Sequence, residues 1–215
     1  MDIAQLDYVI TQLGFYLNAI LIPLATLILG RKLFKEKKAT GKWNPIRTII
    51  FGVFLCFSAL GIIEFFISVL PFELPLLEEL FGGGITEFNL YGFLIGTMVT
   101  LGMTMFFYAN HWESLYYSAL FFYGGMIILF LLTGFDIWLE TYITILGATS
   151  IAFLYLTAFR VKDNGALGLA IFFTIAFGTI IAENHWVSQI SILVYSVFIL
   201  IFSLGYFKPF KEVVK

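Results

Sequence analysis

Charge is what this sequence has least of. Asp, Glu, Lys and Arg make up only 12% of it, about half the roughly 25% of a soluble domain. A soluble fold needs a polar shell, and that shell is missing. Cysteine is nearly absent: Cys56 stands alone inside an apolar run. No intrachain disulfide can form, and cysteine says nothing about compartment. Histidine is scarce, with only His111 and His185. That leaves too few for a haem held by intramembrane histidine pairs, or for a seven-helix zinc hydrolase with several histidines in the membrane. The last apolar run, Trp186–Phe207, has no lysine, which excludes a retinal Schiff base there. The opening MDIAQLDYVI has acids where a signal peptide carries positive charge. The first apolar run is therefore expected to stay as a membrane helix.

Apolar residues are abundant, at 60% of the chain. Several runs reach the about 20 residues a helix needs to cross the roughly 30 Å hydrocarbon layer. They do not alternate apolar and polar, as the strands of a membrane barrel do. The expected fold is all-α: a polytopic membrane protein, residues 1–215 forming one seven-helix domain with no soluble domain. The spans read Tyr8–Gly30, Ile46–Leu70, Phe88–Ala109, Ser114–Gly134, Trp138–Phe159, Gly165–Ala182 and Trp186–Phe207. Pro23 falls inside the first and predicts a kink, with Asn18 placed to satisfy the freed carbonyl.

With seven spans, all twelve Lys and Arg fall on one side. Arg31, Lys32, Lys35, Lys37, Lys38, Lys42 and Arg47 surround the first connection, Arg160 and Lys162 the fifth, and Lys208, Lys211 and Lys215 the tail. The other side has acids only: Asp2, Asp7, Glu73, Glu78, Glu79, Glu87, Asp136, Glu140 and Glu183. Positive charge stays cytoplasmic, so the N-terminus is expected outside and the C-terminus inside a cell membrane. Trp43, Trp112, Trp138 and Trp186 sit at span ends as an aromatic belt. The basic connection Arg31–Arg47 is expected to attract anionic lipids; the sharper alternative is docking of an acidic protein at the cytoplasmic face. The outer connection Pro71–Glu87 reads as an amphipathic surface helix ending in the turn Gly82-Gly83-Gly84.

Two stripes of small residues match. Gly92, Gly96, Thr100 and Thr104 in the third span correspond to Ala166, Ala170, Thr174 and Gly178 in the sixth. Asn110-His111-Trp112 is echoed by Asn184-His185-Trp186. Residues four apart share a helix face, and small ones let helices approach closely in lipid. The third and sixth spans are expected to pack together. If the likeness is a duplication, the architecture is a 3+3+1 inverted repeat, common in transporters. The alternative is chance recurrence of residues frequent in membrane helices.

Glu64 is the one acid well inside a span, about 9 Å inward of Leu70 at 1.5 Å per residue. Such a residue faces the bundle interior and is either paired or functional. Gly61 and Ser68 share its face, and no basic residue lies on the outer half. Glu87, Asn89, Glu183, Asn184 and His185 lie at nearby outer ends and join it in an expected ligand-binding vestibule. A negative mouth favours cations or amines. The competing reading is a neutral, hydrogen-bonded structural Glu64 with solvated acids around it.

No nucleophile, base and metal set is visible, so an enzyme ranks last, and no cofactor, metal or nucleic acid is expected. First comes a receptor or sensor module with an acidic outward-facing cup, signalling through a separate partner. A small transporter or channel for a cation or cationic solute is the alternative. An accessory subunit of a membrane complex follows, its small-residue faces leaving room for oligomerisation.

Overall fold

The computed structural model describes residues 3–69, 90–134, 137–162, 164–181 and 185–205. Among them are seven α-helices and no strand: α1 Ile3–Thr40, α2 Pro45–Ser68, α3 Leu90–Ala109, α4 Ser118–Thr133, α5 Ile137–Val161, α6 Asn164–Ile181 and α7 His185–Leu204. One 3₁₀ turn, Glu113–Leu115, precedes α4. Five stretches are long and apolar enough to cross a membrane: Tyr8–Thr40, Pro45–Ile67, Gly92–Ala109, Glu113–Thr133 and Ile137–Arg160. The described apolar parts of α6 and α7, Asn164–Gly178 and Ile190–Leu204, are shorter. Glu73, Glu78, Glu79 and the amphipathic segment expected within Pro71–Glu87 lie outside the described residues.

The helix ends follow local chemistry. The Asn44 side chain accepts from the Arg47 amide at 3.3 Å and Pro45 takes the first position of α2, where its missing N–H costs nothing. Gly41 at φ 73° and Gly134 at φ 74° stop α1 and α4 in the left-handed region that glycine enters without strain. Threonines inside the helices fold back: Thr97, Thr100, Thr104, Thr157 and Thr174 each donate to the carbonyl four residues earlier. This satisfies each hydroxyl within its own helix.

One boundary differs from expectation. The first span was expected to end at Gly30, but α1 runs ten residues further, to Thr40. Apolar character stops at Arg31 while helix propensity does not: Arg, Lys, Leu, Glu and Ala are all good helix formers. At 38 residues α1 is about 57 Å long. It also continues through Pro23. Asn18 does not serve the proline's freed carbonyl as expected; its amide reaches α7 instead, donating to Tyr195 Oη at 2.8 Å.

Successive helices run antiparallel. Tyr16 meets Phe65 while Gly30 meets Phe51, and Phe93 meets Phe130 while Thr97 meets Tyr123. The basic residues of Arg31–Arg47, Arg160 and Lys162 therefore gather at one end, called here the basic end. The packed pairs close a ring: α1 on α2, α2 on α3, α3 on α5, α5 on α6, α6 on α7, and α7 back on α1. Helix α4 stands outside the ring against α3 and α5. Its outer face, with Phe121, Leu131 and Leu132 at least 75% exposed, is what a lipid-facing helix presents.

This order corrects the pairing of α3 with α6. Among the described residues they are not a principal packed pair; they face one another across a cavity that Val99 and Phe177 both line. The stripes face other helices: Gly96 backs onto Met126 of α4, and Thr174 Oγ1 bonds Tyr155 Oη of α5 at 3.1 Å. Small residues permit close approach but do not name the partner. The 3+3+1 repeat is echoed in part: within the halves, α1 on α2 and α2 on α3 correspond to α4 on α5 and α5 on α6, all packed pairs. Between the halves it maps α3 on α4 and α3 on α5 to α6 on α1 and α6 on α2; α6 meets α2 through Phe172 against Phe54 and Phe57, but neither is a principal pair among the described residues.

Candidate functional site

The ring is filled toward the basic end and parted further out. Phe54 of α2 lies between Phe172 of α6 and Phe202 of α7, ring centres 5.9 and 5.8 Å away and nearly parallel. Ala166, Ala170 and Ile199 are fully buried around this stack. Beyond it, a cavity of about 110 Å³ opens between all six ring helices. A single water needs roughly 10–15 Å³ by the same kind of measure, so several waters or a small organic group fit.

Among the described residues Glu64 is the only charged one lining this space. Helix α2 carries it there on one face with Phe57, Leu60 and Gly61, the i, i+3, i+4, i+7 pattern of a helix side. Gly61 faces α1: a Cβ there would lie in ordinary contact with the Asn18 backbone, 3.5 Å away. Among the described residues the Glu64 carboxyl has no hydrogen bond or ion pair. Phe57, Phe173 and Phe177 form aromatic walls. Tyr195 brings its hydroxyl from α7, held by Asn18 Nδ2, and Ser196 Oγ is shared between Asn18 Oδ1 and the Ile192 carbonyl.

The floor is made by Gly102, Gly147 and Ser150. A Cβ at Gly102 would come 2.7 Å from Ser150 Oγ, and one at Gly147 3.2 Å from the Phe177 ring. Glycine is what lets α3, α5 and α6 converge here. Ser150 is buried, and among the described residues its hydroxyl has no hydrogen bond. A buried polar group without a partner costs about 1–3 kcal/mol, which water or a ligand in the cavity would recover.

Of the expected ligand-binding set, Glu64 lines the cavity. Glu87, Asn89, Glu183 and Asn184 lie outside the described residues. His185 opens α7, but its side chain is not among those described. Glu140 is exposed in the first turn of α5. Of the helix-packing set, Gly92, Gly96, Thr100, Ala166 and Ala170 are buried, Thr104 is half-buried, and Thr174 and Gly178 are exposed. Among the described residues nothing lies near the Cβ position of Gly178. Among the described residues no group of three His, Cys, Asp or Glu stands together to hold a metal.

Sequence reasoning missed Asn18 as a cavity-side residue, and missed Ser150, Tyr195 and the three phenylalanines. Asn18 and Ser150 carried a usable signal as polar residues in mid-span. Tyr195 and the phenylalanines did not stand out in a chain that is 19% aromatic. Compared with protein-family models, with curated proteins and with solved structures, the chain matches none.

Proposed function

We propose that the chain spans a cell membrane seven times, N-terminus outside, and acts as a receptor-like module. It takes a small organic cation into the cavity at Glu64 and signals through a separate partner at its basic face. The orientation rests on the charge asymmetry of the connections. A thiol reagent that cannot cross the membrane should leave Lys38→Cys untouched from outside in a Cys56-free chain; labelling there would overturn the orientation.

The observation that carries the ligand reading is an acid that, among the described residues, has no protein partner and shares its cavity with no lining cation. Aromatic faces beside it favour an ammonium group with some apolar body, because ring quadrupoles attract cations. The Phe54 stack fills the ring toward the basic end, which favours a sensor over a through-path.

The test is thermal unfolding of purified protein against alkyl and aryl ammonium compounds. At a hundred times Kd, a binder should stabilise by about 2.7 kcal/mol. Glu64→Gln keeps the shape and should abolish the shift without lowering the starting melting temperature by more than a few degrees. A cation that stabilises both forms equally would end the proposal.

Transport of such a cation is the second reading. It is favoured by Glu64 itself, since ionisable residues within membrane helices mark substrate and ion pathways. Uptake into liposomes, lost in Glu64→Gln, would select it over sensing.

A further inference from the structure

The seven basic residues of Arg31–Arg47 fall into two sets. Three are engaged. Lys32 Nζ donates to the Ser203 carbonyl at 2.6 Å, Lys37 Nζ lies 4.0 Å from the centre of the Trp43 ring, and Arg47 Nη1 pairs with Glu36 Oε2 at 2.7 Å. Four remain: Arg31, Lys35, Lys38 and Lys42 are exposed, and their side chains have no partner among the described residues. Glu36 is the only acid of this stretch, and it is turned away from those four, onto Arg47 and the Asn44 amide at 3.3 Å.

Arg31, Lys35 and Lys38 stand at i, i+4 and i+7, one face of the α1 extension. Like charges so spaced destabilise a helix slightly, so the stripe calls for an anionic surface opposite. Its neighbours indicate which. Phe34 and Trp43, 59% and 44% exposed, meet edge to face at 5.3 Å. Aromatic rings of this kind settle at the headgroup level of a bilayer. At about 57 Å, α1 is far longer than the roughly 30 Å hydrocarbon layer. Its final turns therefore reach the headgroups and beyond. An acidic protein would explain the charges but not the paired aromatics at that height.

We propose that Arg31, Lys35, Lys38 and Lys42, flanked by Phe34 and Trp43, form a binding site for phosphate-bearing headgroups of anionic phospholipids in the leaflet at the basic end. The composition of the connection pointed to all seven basic residues; the contacts narrow the site to four. This rests on the membrane reading and is independent of the cavity.

The test uses the full chain in nanodiscs of mixed phosphatidylglycerol and phosphatidylcholine, with co-purifying lipids read by native mass spectrometry. Wild type should retain phosphatidylglycerol preferentially. Lys35→Gln and Lys38→Gln should each lower that preference about fivefold, the factor corresponding to about 1 kcal/mol per basic residue near an anionic surface. Lys37→Gln, whose ammonium already faces Trp43, should lower it less, and Arg31→Lys should leave it intact. Glycerophosphate in the buffer should not displace the lipid. The inference is overturned by equal retention of both lipids, by Lys35→Gln and Lys38→Gln that match wild type, by a Lys37→Gln loss as large as theirs, or by displacement with glycerophosphate. It is also overturned by capture of polyglutamate without lipid preference. A chain that fails to enter nanodiscs sinks the membrane reading as well; one that enters without lipid preference sinks this inference alone.

Discussion

Toward the basic end, Phe54 is held between Phe172 and Phe202, and alanines at 166 and 170 are fully buried around them. Further out, the same six helices part around about 110 Å³ lined by Glu64, Ser150 and Tyr195. The difference lies in side-chain choice rather than helix order. Aromatic rings and alanines interlock in the filled half. In the open half, glycines bring backbones together at the floor, and Glu64 and Tyr195 face the space among apolar and aromatic side chains. Lipid supplies no hydrophobic force between helices, so cohesion in each half depends on its own contacts. The filled half is suited to fixing the bundle and the open half to accepting something.

The largest expected effect is at the boundary. Phe54→Ala removes the central ring of the buried stack and should destabilise by about 3–5 kcal/mol, the range for a buried Phe truncated to Ala. It should also extend the cavity toward the basic end. Thermal unfolding in detergent checks the first point. A loss of less than about 1 kcal/mol would mean the stack is not the keystone of the filled half.

How much of this could be read beforehand differs residue by residue. The helices were legible because charged or turn-forming stretches such as Arg31–Arg47 interrupt the apolar runs. The true end of α1 was not, because leaving the apolar run does not end a helix; Gly41 does, at φ 73°. Glu64 was legible as a lone acid inside a span, where charge is costly enough to mark a site. Its surroundings were not. Ser150 and Tyr195 reach the cavity only because α5 and α7 belong to the ring, and a stripe such as Gly92–Thr104 says that a helix can be approached, not by which neighbour. Asn18 was assigned to the nearest need, the carbonyl freed by Pro23, yet Tyr195 is 177 residues away in sequence and within 2.8 Å.

A matched pair of enlargements gives the finest comparison between the halves. Ala170→Leu adds three carbons at a position with no exposed surface, in the filled half. Overpacking of that kind costs about 1–3 kcal/mol. Gly102→Ala adds one carbon at the cavity floor, where the nearest atom is Ser150 Oγ at 2.7 Å. That contact is too close to keep, but Ser150 has no partner among the described residues to lose. It can rotate its hydroxyl toward the carbonyl four residues back, as helical serines do. Against the small cost of that rotation stands the helix preference of Ala over Gly, about 1 kcal/mol. Gly102→Ala should therefore melt within a degree or two of wild type while weakening any cation that reaches the cavity floor. If it unfolds as early as Ala170→Leu, the floor is packed as tightly as the basic half, and the contrast on which the ligand site depends is gone.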